Sequence, residues 1–159
     1  MKRFLFPILL LLLFLHVFLT GCSHIKSDER FMSCREAFCA VKDRALLLEN
    51  GDYDFSVENQ EVISVFKATS VNQRNIIDFS ELEISCINTI RKSISYDFSF
   101  IRVTDESIFF GSIGPEIYVY SKTGKAPSCF LDVDCKQFKS YEIDECWYRL
   151  LRKGYYLFP

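Results

Sequence analysis

The sequence predicts an α+β domain dominated by an antiparallel β-meander, with one to three short helices and bracing disulfides. Three alternating, aromatic-rich segments follow one another closely between residues 96 and 121, separated by turn residues. Two earlier segments combine helix-start signals with apolar residues at helical spacing. Six cysteines follow the N-terminal region, and this even number predicts disulfide bonds if the domain is exported, as the N-terminal residues described below indicate.

The first predicted element is a helix over residues 33–50. Ser33 and Glu36 form a capping-box pattern, in which the serine oxygen and the glutamate carboxylate satisfy free N–H groups at the helix start. Apolar residues recur through the segment at helical spacing, and Asn50-Gly51 follows as a stop signal. The alternative is a hairpin with strands near residues 37–41 and 45–49.

Strand signals dominate from Tyr53 onward. Residues 53–57 alternate, residues 62–68 are rich in β-branched and aromatic side chains, and a short apolar segment covers 76–79 after a polar loop. Residues 80–95 suit either a helix or a strand. Ser80 with Glu83 forms a second capping-box pattern, which favours the helix.

The meander is predicted to span residues 96–103, 107–113 and 116–121. Residues 129–138 are expected to form a short strand or a disulfide-tied loop. Residues 143–153 are predicted to be helical, because Gly154 would end the helix and basic residues near its C-terminus would offset the helix dipole. The last apolar residues, 155–158, are expected to form a final strand or a docked tail.

The N-terminal residues have the pattern of a secretory signal peptide. A positive start at Lys2-Arg3 precedes an uncharged apolar segment of 16 residues, 4–19, and then comes Leu19-Thr20-Gly21-Cys22. This tetrapeptide resembles the lipobox of bacterial lipoproteins, which has a branched apolar residue, two small residues and a cysteine. The resemblance covers Met1 to Cys22 alone. It implies diacylglycerol on the Cys22 sulfur and cleavage just before Cys22. The alternative is a retained transmembrane anchor, although the apolar segment is at the short edge of the roughly 17–25 residues that span a bilayer.

The predicted organisation is a signal peptide (1–21), a lipidated N-terminus with a tether (22–30) and one globular domain (31–159). Cleavage removes 21 of 159 residues and leaves 138, which suits one domain. Two or more acyl chains anchor a protein stably, so the lipid is the predicted membrane partner. Ser23 follows Cys22 where enterobacterial inner-membrane lipoproteins carry Asp. This position favours the periplasmic face of the outer membrane in a Gram-negative host.

Composition argues against several classes of function. The mature chain has 17 basic and 21 acidic residues, a net charge of −4, and has no basic cluster. We therefore expect neither nucleic-acid binding nor electrostatic membrane binding. The mature chain has a single histidine, His24, which lies in the tether and argues against Ser-His-Asp and Cys-His catalysis. No cofactor and no metal site is predicted.

Lipidation of Cys22 leaves six cysteines, which allow 15 pairings. The favoured pairs join neighbours in the sequence first: Cys129–Cys135, Cys34–Cys39 and Cys86–Cys146. If residues 34–39 are helical, however, the sulfurs of Cys34 and Cys39 point to nearly opposite sides and need other partners.

Two groups of residues are candidates for function. Tyrosine and tryptophan are favoured at interfaces, and a possible partner surface combines the aromatic residues near the C-terminus: Trp147, Tyr148, Tyr155, Tyr156 and Phe158. Nearby carboxylates could perform glycoside chemistry or complement a basic partner: Asp132, Asp134, Glu142, Asp144 and Glu145.

The sequence predicts a lipid-anchored, non-catalytic envelope protein that binds a protein partner. An assembly factor, an immunity protein and an inhibitor all fit this description. The alternatives are an envelope enzyme that uses carboxylates and a carrier of a small apolar ligand.

Overall fold

The computed structural model describes residues 29–69, 74–95, 97–111, 116–127, 129–130, 133–134 and 137–153. The chain divides into two compact units, Met1–Ser33 and Cys34–Pro159. In the first unit residues 29–33 are helical, and the Ser33 hydroxyl donates a hydrogen bond to the Arg30 carbonyl at 2.8 Å. The predicted signal peptide and most of the tether lie outside the described residues.

The second unit has the predicted α+β composition, with strands in the majority. Its helices are α1 (Arg35–Ala45) and α2 (Glu81–Ser93). Its strands among the described residues are β1 (Gly51–Glu58), β2 (Glu61–Ala68), β3 (Arg74–Ile77), β4 (Phe100–Val103), β5 (Ser107–Gly111), β6 (Glu116–Ser121), β7 (Cys129–Phe130), β8 (Val133–Asp134), β9 (Phe138–Asp144) and β10 (Trp147–Arg152).

Eight strands form one sheet in the order β3-β2-β1-β4-β5-β6-β10-β9, and each neighbouring pair is antiparallel. The predicted meander is confirmed in the centre of this sheet, where β4, β5 and β6 are consecutive. Strand β3 lies at one edge, and the connection from it back to β4, in the sheet interior, runs through α2. Strands β7 and β8 pair separately.

Both helices predicted in the first half of the domain are confirmed, one of them with its cap. The Ser80 hydroxyl accepts a hydrogen bond from the Glu83 N–H at 3.3 Å, and the Glu83 carboxylate accepts one from the Ser80 N–H at 2.7 Å. The predicted start of the first helix is wrong. Cys34 is the N-cap residue of α1 and makes no side-chain cap, and α1 ends at Ala45, before the predicted stop at Asn50.

The helices lie antiparallel to each other and pack on the sheet. Arg44, near the end of α1, donates to the Asp78 carbonyl just before α2, at 2.6 Å. Cys34, at the start of α1, makes a side-chain hydrogen bond with Ser93, at the end of α2. On the sheet side of α1, one phenylalanine meets an aromatic cluster: Phe38 has ring centroids within 5.3–5.4 Å of Phe110, Tyr118 and Trp147.

The opposite face of the central strands carries a second apolar cluster. Its members alternate along their strands with the residues that face the helices, as the period of two requires. They are Phe100, Phe109, Ile117, Val119, Tyr148 and Leu150, with Phe138 packed against them. The central strands are therefore buried on both faces, and each residue of β5 is buried.

The helix predicted over residues 143–153 is wrong. This segment contributes to a hairpin of β9 and β10, with Glu145 and Cys146 in the turn and Cys146 at a φ of 61°. Strand β10 pairs with β6 on one side and β9 on the other, and residues 147–150 are all buried. A strand buried on both faces loses the alternation that identifies strands in a sequence, so its apolar residues were compatible with a helix.

Two of the three predicted disulfides are also wrong, because Cys34, Cys39, Cys86 and Cys146 are free thiols. Five residues along a helix correspond to directions about 140° apart, which separates the sulfurs of Cys34 and Cys39. Cys86 is in α2, which packs on β2, whereas Cys146 lies in the β9–β10 turn at the other side of the sheet. Cys135 and the side chain of Cys129 lie outside the described residues, so the third pair stays a prediction.

Candidate functional site

The aromatic partner surface predicted near the C-terminus does not form from its described members. Trp147 is 2% exposed and packs between Phe38 and Tyr120, while Tyr148 is 6% exposed on the opposite face. The Tyr148 hydroxyl donates to the Gly124 carbonyl at 2.8 Å. Both residues therefore belong to the core. Tyr155, Tyr156 and Phe158 lie outside the described residues.

The predicted carboxylates do not converge where they are described. The pairing of β9 with β10 shifts register between Trp147 and Tyr148, so Asp144 pairs with Trp147 and Glu142 pairs with Tyr148. Because Trp147 and Tyr148 face opposite sides of the sheet, the two carboxylates do so as well. Asp144 instead pairs with Arg35 of α1, with Nε and Oδ2 2.5 Å apart. The hydrogen bond from Arg35 lowers the pKa of Asp144, and a hydrogen bond from the Glu145 N–H adds to this effect.

Asp144 is therefore an ionised group that ties the start of α1 to the sheet, and its lowered pKa is unsuited to general-acid chemistry at neutral pH. Asp132 and the side chain of Asp134 lie outside the described residues.

A small apolar cleft lies between the two helices and the sheet. Phe38, Ile90, Phe98 and Phe110 contribute to its lining, together with Glu116. Its volume of about 20 Å³ accommodates roughly one water molecule. Sites for drug-sized ligands are typically about 300–1,000 Å³, so this cleft gives no support to the apolar-ligand carrier.

A buried polar cluster adjoins this cleft. The Tyr118 hydroxyl donates to Glu116 Oε1 at 3.2 Å, and Arg149 Nε lies 3.6 Å from the same oxygen. Arg149 is 2% exposed, and its guanidinium carbon lies 5.5 Å from the centre of the Tyr141 ring.

Burial raises the pKa of Tyr118 strongly, and the charge of Glu116 raises it further. Tyr118 therefore stays protonated as a donor, and an arginine does not deprotonate in proteins. The cluster fixes charges inside the sheet and is poorly suited to proton transfer.

Two of the described thiols, Cys34 and Cys86, are also poorly suited to nucleophilic chemistry. Burial raises the pKa of Cys34 to about 11, with a smaller opposing effect from its hydrogen bond to Ser93. Burial also raises the pKa of Cys86. A protonated thiol is a weak nucleophile, and the described part of the chain contains no histidine that could activate it.

A polar groove of about 300 Å³ separates α2 from the β1–β2 hairpin. Lys92 and Glu61 form an ion pair across it at 2.6 Å. At its base the Asn88 side chain accepts from the Val62 N–H at 2.7 Å and donates to the Val62 carbonyl at 3.2 Å. Strand β3 pairs with β2 only over residues 65–68, so Asn88 takes the place of a neighbouring strand at Val62.

Three exposed leucines lie at one end of the helix pair. Leu46 and Leu47 follow α1 and are 42% and 77% exposed, while Leu82, in the first turn of α2, is 73% exposed. The contact of Arg44 with the Asp78 carbonyl holds these two chain segments together. We call Leu46, Leu47 and Leu82 the leucine end.

Sequence reasoning missed this surface. Leucines that recur at helical spacing in a sequence are normally predicted to be buried. The available signal was the run of three leucines at positions 46–48, since a single helix face cannot bury three consecutive residues.

Comparison of the chain with protein-family models, with curated proteins and with solved structures finds no match. None of the helices among the described residues is sufficiently long and apolar to cross a membrane. Within the same residues, no group of three His, Cys, Asp or Glu side chains is arranged to hold a metal ion.

Proposed function

We propose that this chain is a bacterial lipoprotein whose folded domain is held at the envelope membrane by lipid on Cys22 and acts by binding a protein. The observation that carries this proposal is Leu19-Thr20-Gly21-Cys22, placed directly after a positive start and an uncharged apolar segment. With Ser23 after the cysteine, a Gram-negative host would hold the domain at the periplasmic face of its outer membrane.

The geometry of the domain favours binding over catalysis. Asp144 is engaged by Arg35, Glu142 faces the other side of the sheet, and Cys34 is held protonated. By contrast, the leucine end presents apolar surface to the solvent. Exposed apolar groups surrounded by polar residues are typical of protein interaction sites.

The anchor is tested by metabolic labelling with palmitate in the native host. We expect label in the wild-type protein and none in Cys22→Ser, which should accumulate as the uncut precursor. Cys39→Ser is the matched control and should keep the label, because Cys39 lies in α1. Label that survives Cys22→Ser would overturn the proposed anchor.

The non-catalytic role is tested by complementing a deletion strain with Glu142→Gln, Asp144→Asn and Glu145→Gln, one at a time. Each variant should restore the wild-type phenotype, provided that its abundance is unchanged. Loss of function in a single variant that is stable and abundant would favour the carboxylate enzyme.

A further inference from the structure

We propose that the leucine end is a docking surface for a basic, amphipathic segment of a partner protein, an inference that rests on the protein-binding function proposed above. In the second unit the exposed large apolar residues among those described are Leu46, Leu47, Val57, Ile63, Ile76 and Leu82. Half of them belong to the leucine end. Single exposed apolar residues are ordinary, whereas several at one place indicate an interaction site.

The charge around the leucines indicates the chemistry of the partner. Four exposed acids lie within four residues of these leucines in the chain, and we call them the acidic rim: Asp43, Glu49, Asp78 and Glu81. Asp43 precedes Leu46 and Leu47 by three and four residues, which makes it their neighbour on a helical surface. Glu81 is next to Leu82 in the chain, and Arg44 links Asp78 to α1.

The cations at this end are less accessible than the acids. Lys42 Nζ lies 2.7 Å from Asp43, and their side chains are 17% and 68% exposed. Lys67 Nζ lies 2.6 Å from Glu49, and these side chains are 22% and 87% exposed. A molecule that approaches the leucine end therefore meets carboxylates before it meets ammonium groups.

This arrangement discriminates between three occupants. A second copy of the chain would bring two acidic rims together, and like charges across an interface are unfavourable. An anionic bilayer would be repelled by the same carboxylates. A protein segment with leucine-like residues flanked by lysine or arginine matches both the apolar surface and the rim.

The test uses the mature lipoprotein in phosphatidylcholine nanodiscs and a fluorescein-labelled amphipathic helical peptide made of leucine and lysine. Fluorescence anisotropy measures peptide binding, with empty nanodiscs as the blank. We expect binding that weakens as salt is raised, and a loss of about tenfold or more in affinity for Leu47→Ser combined with Leu82→Ser.

The matched control is Ile63→Ser, which removes an exposed apolar side chain from strand β2 and should leave the affinity unchanged. Asp43→Asn combined with Glu81→Gln should weaken binding and reduce its salt dependence. If the serine variant unfolds, Leu82→Ala removes apolar surface at a helical position that alanine favours and should still weaken binding.

Equal affinity in the wild-type protein and the leucine variants would overturn the proposal, as would equal binding of a leucine–glutamate peptide. Two further outcomes would replace it: dimerisation that the leucine variants abolish, or insertion into phosphatidylglycerol vesicles that they abolish. Palmitate labelling of Cys22 is measured separately. A protein that is labelled with palmitate but binds no peptide would refute the docking surface and support the lipid anchor. A protein that binds the peptide but takes up no palmitate would refute the anchor and support the docking surface.

Discussion

The Asn88→Ala substitution tests how α2 is held on the sheet. Asn88 is 9% exposed and Val62 is 2% exposed, and the Asn88 amide makes hydrogen bonds with both backbone polar groups of Val62. Alanine keeps the helix and removes both bonds. The substitution therefore leaves one donor and one acceptor of β2 without these partners, at a point where β3 no longer covers the strand.

The expected loss of stability follows from this geometry. A buried backbone group that loses its partner costs about 1–3 kcal/mol. Two such groups would cost about 2–6 kcal/mol if they stayed dry, but the polar groove beside Asn88 admits water to them. We therefore expect a loss of about 2–4 kcal/mol in the free energy of unfolding. For a domain of this size that loss lowers Tm by roughly 10 °C.

Urea denaturation followed by circular dichroism measures this loss, and hydrogen exchange of the Val62 amide reports on the site itself. Thr89→Ala is the matched control, since Thr89 is exposed on the same helix and should change stability by less than about 0.5 kcal/mol. If Asn88→Ala matched this control, or if the Val62 amide kept its protection, the proposed role of Asn88 in covering β2 would be refuted.

Three further substitutions or treatments probe other parts of the domain. Arg149→Ala should lower the free energy of unfolding by about 2–5 kcal/mol in urea denaturation because it empties the space of a side chain that is 2% exposed and removes the cation beside Glu116, whereas exposed Lys153→Ala should have little effect; equal effects would contradict this. Iodoacetamide should label half-buried Cys39 in the native protein well before Cys34, whose pKa is raised to about 11; mass spectrometry of a non-reduced digest would contradict the free thiols if it showed these two cysteines linked. The pKa of Asp144 is lowered in the folded state, so its contribution to stability is present above its unfolded pKa and is lost as pH falls through the folded pKa. Asp144→Asn should therefore reduce the loss of stability that urea denaturation measures as the pH is lowered. An unchanged dependence on acid pH would show that the Arg35–Asp144 pair does not contribute to stability.

The two helices show which parts of the fold were predictable. The capping box of Ser80 and Glu83 is a contact between residues three positions apart, so the sequence itself holds the information that starts α2. Ser33 and Glu36 have the same spacing, but the Ser33 hydroxyl bonds to Arg30 and α1 starts two residues later. The Ser33 hydroxyl could cap the helix through Glu36 or bond to the Arg30 carbonyl, and the local sequence does not decide between these two partners.

Strand β10 shows what the sequence could not supply. Its pairing with β6 joins residues about 30 positions apart, and the turn that leads into it has no glycine or asparagine to mark it. The turn depends on Cys146, a residue that seldom adopts a positive φ. Because the topology buries β10 on both faces, residues with basic and apolar character near the C-terminus became core residues of a strand.

Burial imposed by the sheet topology also explains why the predicted aromatic surface did not form. Trp147 and Tyr148 were predicted to lie at an interface because tryptophan and tyrosine are favoured there. The same residue types also occur in protein cores, and the position of each residue in the sheet decides between the two. The sheet places both residues inside. The reverse holds for the leucines at the end of α1 and the start of α2. Leucine is usually buried, but these side chains are exposed to solvent because they lie at helix ends. For this reason we base the proposed partner surface on apolar side chains that the fold leaves exposed and not on aromatic composition.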